Sequence, residues 1–398
     1  MDMDGVTLFD MTEIHPSIKG YSGVVSDGHY LYFIPLNNGD FFGTVARYSL
    51  NETFSDAKSW HTFDTTRVDK SSQGFVDGIF DGRYLYLIPF CNDKHHGQVT
   101  RYDTSKAFDD IASWQVFDSS QLHPNSKGFV SGCYDGRYLY LSPYQLDHAT
   151  HHGQVTRYDT HAEFCELTAW QVYDTAQTHI DSRGFHSAVS DEQYVYFVPY
   201  LRDAGVHNGI LLCYEKSKAF DDTNAWQYFD MTQLGEECQG YIGAVYHKGM
   251  IYFAPYRNNE QRHGNVLRFN TNKNLHDLSA WTVFNCEKVD IGSRGFFGAI
   301  CDDEYLYLLP HCRGLNNYHG QLTRYKLTQN FEAPESWSIC ELENASSNCK
   351  GFIGGLIQKK KLYLAPFEID AGCHSGVVAC IQLDKDDIWQ QPATEVID

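Results

Sequence analysis

An all-β ring of seven four-stranded sheets is what this sequence predicts, and three observations predict it. A Gly-aromatic pair recurs at Gly20-Tyr21, Gly74-Phe75, Gly128-Phe129, Gly184-Phe185, Gly240-Tyr241, Gly295-Phe296 and Gly351-Phe352. Each pair is followed by the same landmarks: an aromatic-rich run ending in proline, a glycine often preceded by histidine, a motif like Arg101-Tyr102-Asp103, and a lone tryptophan. The period of about 55 residues, filled by four short alternating segments, is that of one propeller blade. Lastly, Leu8 to Pro16 echoes Val116 to Pro124, so the chain starts on a fourth strand with no blade before it.

The second repeat serves as the pattern for the elements. Strand one is Gly74 to Phe80, and Asp81-Gly82 supplies a turn whose residues tolerate positive φ. Strand two is Tyr84 to Pro89, with apolar groups on both faces, as a sheet sandwiched between neighbours requires. Pro89 cannot donate to a ladder and marks the strand end. A loop leads to His96-Gly97, strand three runs through Val99 to Tyr102, and Phe108 to Trp114 turns the chain into strand four at Gln115 to Asp118. The tryptophans Trp60, Trp114, Trp170, Trp226, Trp281, Trp337 and Trp389 are expected to pack in the core. Residues 6 to 10 are expected to complete blade seven and remove an open edge, with Thr394 to Asp398 as the competing segment. The whole of residues 1–398 is then a single β-propeller domain.

This pattern resembles the seven-bladed β-propellers over roughly residues 6 to 390, with wording unlike that of WD40 or kelch blades. It is also similar, more weakly, to the propeller part of the cyanobacterial alkylating enzymes that close cylindrocyclophane-type rings. No catalytic motif aligns, so that likeness implies no residue role.

A net charge of −20 argues against nucleic acid or anionic lipid as partner, since both need clustered Lys and Arg. The sequence shows no signal-peptide pattern and no run of 18 apolar residues, which points to a soluble, cytoplasmic protein. Twelve cysteines without a Cys-x-x-Cys pair read as reduced, mostly buried thiols.

In a propeller, strand one lines the axis, and the loops joining strand four to one and strand two to three share one rim, here the top. The residues before each Gly-aromatic pair, Lys19, Gln73, Lys127, Arg183, Gln239, Arg294 and Lys350, are expected to ring the channel mouth. They would either capture an anionic ligand or pair with nearby acids. Asp27, Asp81, Asp135, Asp191, Asp302 and Asp303, together with Asp56, Asp109, Asp110, Asp221 and Asp222, fall at the opposite rim, so acid is expected to concentrate there.

Histidines His96, His152, His263 and His319 stand at equivalent places, each with an arginine five residues later: Arg101, Arg157, Arg268 and Arg324. Blades four and seven lack both together, which suggests a shared structural network and not catalysis, and equivalent places on sheets packed about 10 Å apart cannot converge on one metal ion.

Function is expected where the symmetry breaks. Asp77 replaces the usual Gly or Ser, His186 stands where other blades have Ser22, Val76 or Ile242, and His311 replaces Phe90, Tyr144, Tyr200, Tyr256 or Phe367. The leading expectation is a non-catalytic binding propeller that recognises a glycan, a small anionic molecule or a protein segment on its top face, through the rim residues with Tyr144, Tyr200 and Tyr256. The alternative is an enzyme without an organic cofactor, using Asp77, His186 and His311 in acid-base or alkyl-transfer chemistry on a small molecule. A third reading is a platform for protein partners. No metal site is expected.

Overall fold

The computed structural model describes residues 3–259 and 261–392. It is a seven-bladed β-propeller of seven four-stranded antiparallel sheets. The inner strands are Tyr21–Ser26, Phe75–Phe80, Phe129–Tyr134, Phe185–Ser190, Tyr241–His247, Phe296–Cys301 and Phe352–Gln358. Each neighbours the next around the axis, and Phe352–Gln358 returns to lie against Tyr21–Ser26.

The ring closes through the N-terminal strand. Val6–Asp10 pairs antiparallel with Val377–Gln382 and supplies the outer strand of blade seven. Thr394 to Asp398 lies outside the described residues. The core repeats with the blades: seven hydrophobic clusters fill seven interfaces, each drawing side chains from two neighbouring sheets. The one between blades seven and one stacks Phe9 on Trp60 at 4.8 Å, as Phe63 stacks on Trp114 at 4.5 Å.

Six tryptophans hold the bottom turns. The indole N–H of Trp114 donates to the Phe108 carbonyl at 3.1 Å, and Trp60, Trp170, Trp226, Trp281 and Trp337 repeat the bond six residues back. Trp389 departs from the series. Among the described residues no strand of blade seven follows it, and Gln390 bridges instead to Ile339 on the outer strand of blade six, while the Trp389 ring covers Arg324 at 4.0 Å.

The repeated acids are structural. Asp81 accepts from the backbone N–H of Arg83 and Tyr84 and from the Tyr86 hydroxyl, and Asp27, Asp135, Asp191 and Asp302 do the same in their blades. Blades five and seven lack this acid and turn through Lys248-Gly249 and Lys359-Lys360, all at positive φ. The acid is not confined to the bottom. Asp64, Asp118, Asp174 and Asp230 end outer strands at the top and cap the one-turn 3₁₀ segments that follow.

The arginines join blades, as the repeats suggested, but without the histidines. Arg101 donates to Gln115 on strand four and to the Tyr158 hydroxyl of the next blade, between the rings of Tyr84 and Phe164. Arg157 repeats the arrangement with Gln171 and Tyr214. His96 lies at the other end of its strand, where its Nδ1 accepts from the Gln98 N–H at 3.2 Å. Burial pushes its pKa down to about 4.

All twelve cysteines are free thiols, eight of them buried and only Cys165 and Cys373 exposed. Among the described residues no helix is long and apolar enough to cross a membrane.

Candidate functional site

Every inner strand carries a bulge between its first and third residues, for example between Phe75 and Asp77 and between Phe296 and Gly298. Strict alternation would turn the second and third residues to opposite faces; the extra residue lets both meet the axis. The lining follows this rule, with Val76 and Asp77, Val130 and Ser131, His186 and Ser187, and Phe297 and Gly298 all on the axial cavity. Its volume is about 160 Å³.

The cavity has two unlike sides. Blades two to four present Asp77, Ser131 and Ser187, while blades five, six, seven and one present Gly243, Gly298, Gly354 and Gly23. The missing side chains make the room: a Cβ on Gly298 would meet only the Leu309 side chain, at 3.3 Å.

Among the described residues Asp77 is the one carboxylate on this wall. Its Oδ1 accepts from the Gly78 N–H and its Oδ2 from the Ser131 hydroxyl, both at 2.7 Å. None of the ion pairs among the described residues involves it. Burial raises its pKa to about 6, against the opposing pull of the Ser131 and Gly78 bonds. It is half-buried and lies on the wall of the axial cavity.

Above the cavity, aromatic rings meet one another around the top. Phe90, Tyr144, Tyr200, Tyr256 and His311 follow from blade to blade at centroid separations of 5.7 to 6.5 Å. Phe297 joins this collar from the axis, 5.2 Å from His186, 5.5 Å from Tyr256 and 4.9 Å from His311. A second circle backs the first: His95, His151, His207, Arg262 and Tyr318 each pack on the collar residue of their own blade, and His374 packs on Phe367, the equivalent residue of blade seven.

The sequence-predicted residues therefore separate into two groups. Asp77 and His186 share the cavity, and His311, Tyr144, Tyr200 and Tyr256 build the collar above it. Tyr144 and Tyr256 are buried, so they offer little surface to a protein partner. Desolvation lowers the His186 pKa to about 4 and the His311 pKa well below its ordinary value, so both rings are neutral at pH 7. Both His311 nitrogens are buried without a hydrogen-bond partner.

The rim residues Lys19, Gln73, Lys127, Arg183, Gln239, Arg294 and Lys350 form the other group, and none of them lines the cavity. Arg183 pairs with Asp203 and Asp181, Arg294 with Glu287, and Lys350 with Glu343. Much of the charge expected to draw an anion is thus balanced locally.

Sequence reasoning missed Ser131, Phe297 and the second circle. The third-position Gly or Ser pattern was the available signal for Ser131, and the residue before each His-Gly or its equivalent was the signal for the circle.

No family model and no curated protein sequence matches the chain. Its fold is similar to the extracellular domain of BT4673 from B. thetaiotaomicron, with 11% identity, a TM-score of 0.55, and 99% of this chain and 43% of that one covered. It is likewise similar to PorZ, a bacterial surface component of the type-IX secretion system of Porphyromonas gingivalis, with 10% identity, a TM-score of 0.55, and 99% and 40% covered. The chain thus spans less than half the length of these structures, and the likeness is one of fold alone. The comparisons give no support to a kinship with the cylindrocyclophane-type enzymes.

Proposed function

We propose that this propeller is a binding protein that takes one small ligand on its axis, entered from the top face. The observation that carries the reading is the local loss of symmetry. Seven blades that repeat one another in turns, ladders and core diverge where they line the axis, and there they form a cavity of mixed aliphatic and polar lining with, among the described residues, a single carboxylate. Drug-sized pockets begin at roughly 300 Å³, so a cavity of about 160 Å³ suits a small molecule, or the head group of a glycan or peptide, and not a whole folded segment.

Thermal-shift screening of a fragment collection, followed by calorimetry, tests this. Hits are expected to bind one per chain and to be lost in Gly298→Val, which puts a side chain into the cavity. Several equivalent sites per chain, or hits indifferent to Gly298→Val, would overturn the axial reading in favour of a lectin-like ring.

A second reading, acid-base catalysis on such a molecule, is favoured by the Asp77 pKa near 6, close to where a general base works best. It expects Asp77→Ala to abolish turnover with folding intact.

A further inference from the structure

The sign of the ligand's charge follows from what the cavity wall lacks. An ionised Asp77 has about four lone-pair sites, of which two are filled by the Gly78 N–H and the Ser131 hydroxyl. Among the described residues no cationic side chain pairs with it, and the only other titratable group they bring to the wall, His186, is held neutral by burial. A buried anion without a counter-charge is costly. The described residues supply no counter-charge, and they fill only two of the carboxylate's acceptor sites on the cavity wall.

The rest of the wall suits carbon. Val76, Val130, Ile242, Ile353 and Leu309 supply aliphatic surface, and the glycines on the far side let a chain lie against backbone. Phe297 adds one aromatic ring to the same wall, a surface compatible with a cation. A bare divalent metal ion fits less well, because calcium takes roughly six to eight oxygen ligands, and the side chains here offer one carboxylate and a few hydroxyls.

Resting on the single-axial-site reading, we propose that the ligand is a small organic ammonium ion whose charged end pairs with Asp77 and whose alkyl part lies against the glycine side of the cavity. A cavity of comparable size, roughly 150 Å³, accepts benzene, so about six non-hydrogen atoms set the upper limit for a fully enclosed ligand.

Three probes matched in shape and differing in charge test the assignment: propylammonium, 1-propanol and propionate, titrated by ligand-observed NMR at pH 7.5 into wild type, Asp77→Asn, Ser131→Ala and Gly298→Val. Folding of each variant is verified by circular dichroism, with Gly298→Ala in reserve should the valine disturb the strand. Propylammonium is expected to bind best, to weaken roughly thirtyfold or more in Asp77→Asn, to weaken less in Ser131→Ala, and to be displaced in Gly298→Val. If 1-propanol or propionate binds as well as the amine and is still lost in Gly298→Val, the charge assignment falls and the axial site stands. If no probe binds, or none responds to Gly298→Val, both fall together.

Discussion

Asp77 shows how one side chain can carry stability and binding in opposite directions. Its carboxyl is raised from 3.8 to about 6 by burial, so the native state holds its proton more tightly than the unfolded chain does. Stability is then lost as pH rises from about 4 through about 6, and the full penalty, on the order of 3 kcal/mol, persists above that. Asp77→Asn keeps the shape and removes the charge. It is expected to stabilise the protein at pH 8 by up to about 3 kcal/mol and to leave it unchanged at pH 4, as read from urea unfolding at the two pH values. The same charge is what a cationic ligand needs, so ammonium binding should fade as pH falls through about 6. Among the cavity-lining groups only His186 could interfere, and its pKa of about 4 places its own titration lower. A variant that is more stable at pH 8 and no longer binds the amine would show a carboxylate kept at a cost in stability.

At the level of the strand and its loops, most of the design was legible in the sequence and one feature was not. The Gly-aromatic pair, the Asp-Gly turns, the strand-ending prolines and the spaced tryptophans each state a local rule that the structure obeys, because backbone geometry at those points depends on residue type. Gly128 is a sharp case: it sits at φ +66°, and a Cβ there would stand 1.8 Å from the Gln145 carbonyl oxygen. Gly128→Ala is therefore expected to cost roughly 3 kcal/mol or more, seen as a lowered urea midpoint or as loss of soluble protein. The bulge near the start of each inner strand has no such signature. It follows from how seven strands converge on an axis, so the sequence could mark Asp77 and His186 as exceptions without showing that Ser131 would face Asp77. The rim cations show the reverse limit. Their sequence positions were clear, but of the acids that neutralise three of them, Glu287 and Glu343 stand in the 3₁₀ segments after strand four where other blades have Thr66, Ser120 or Thr232, and Asp181 stands in the loop beyond one, so the repeat does not mark them as partners.

For the whole molecule, closure and buried imidazoles set how the ring fails. Removing residues 1–10 would strip Val377–Gln382 of its outer partner and Trp60 of its Phe9 stack, opening an unpaired edge and one of seven interfaces. Such a truncation is expected to melt well below the full chain and to elute as aggregates in size-exclusion chromatography. Acid should reach the same result by another route. Burial lowers His96, His151, His186, His207 and His263 to about 4, and His152 and His319 to about 3, from an ordinary 6.5. Each is neutral in the fold and protonates readily once unfolded, so the stability it contributes is complete above about 6.5 and is lost as pH falls toward 4 or 3. One ring moved from 6.5 to about 4 is worth roughly 3 kcal/mol, and these seven are spread over blades two to six, so no single blade can yield alone. They outweigh Asp77, whose contribution runs the other way over much of the same range. The urea midpoint is accordingly expected to hold between pH 7 and 8 and to drop steeply below 6, and His152→Gln should flatten that drop without changing the transition's cooperativity. A midpoint that stayed level down to pH 4 would mean that these rings remain hydrated or find acid partners, and that the top of the ring is looser than its packing implies.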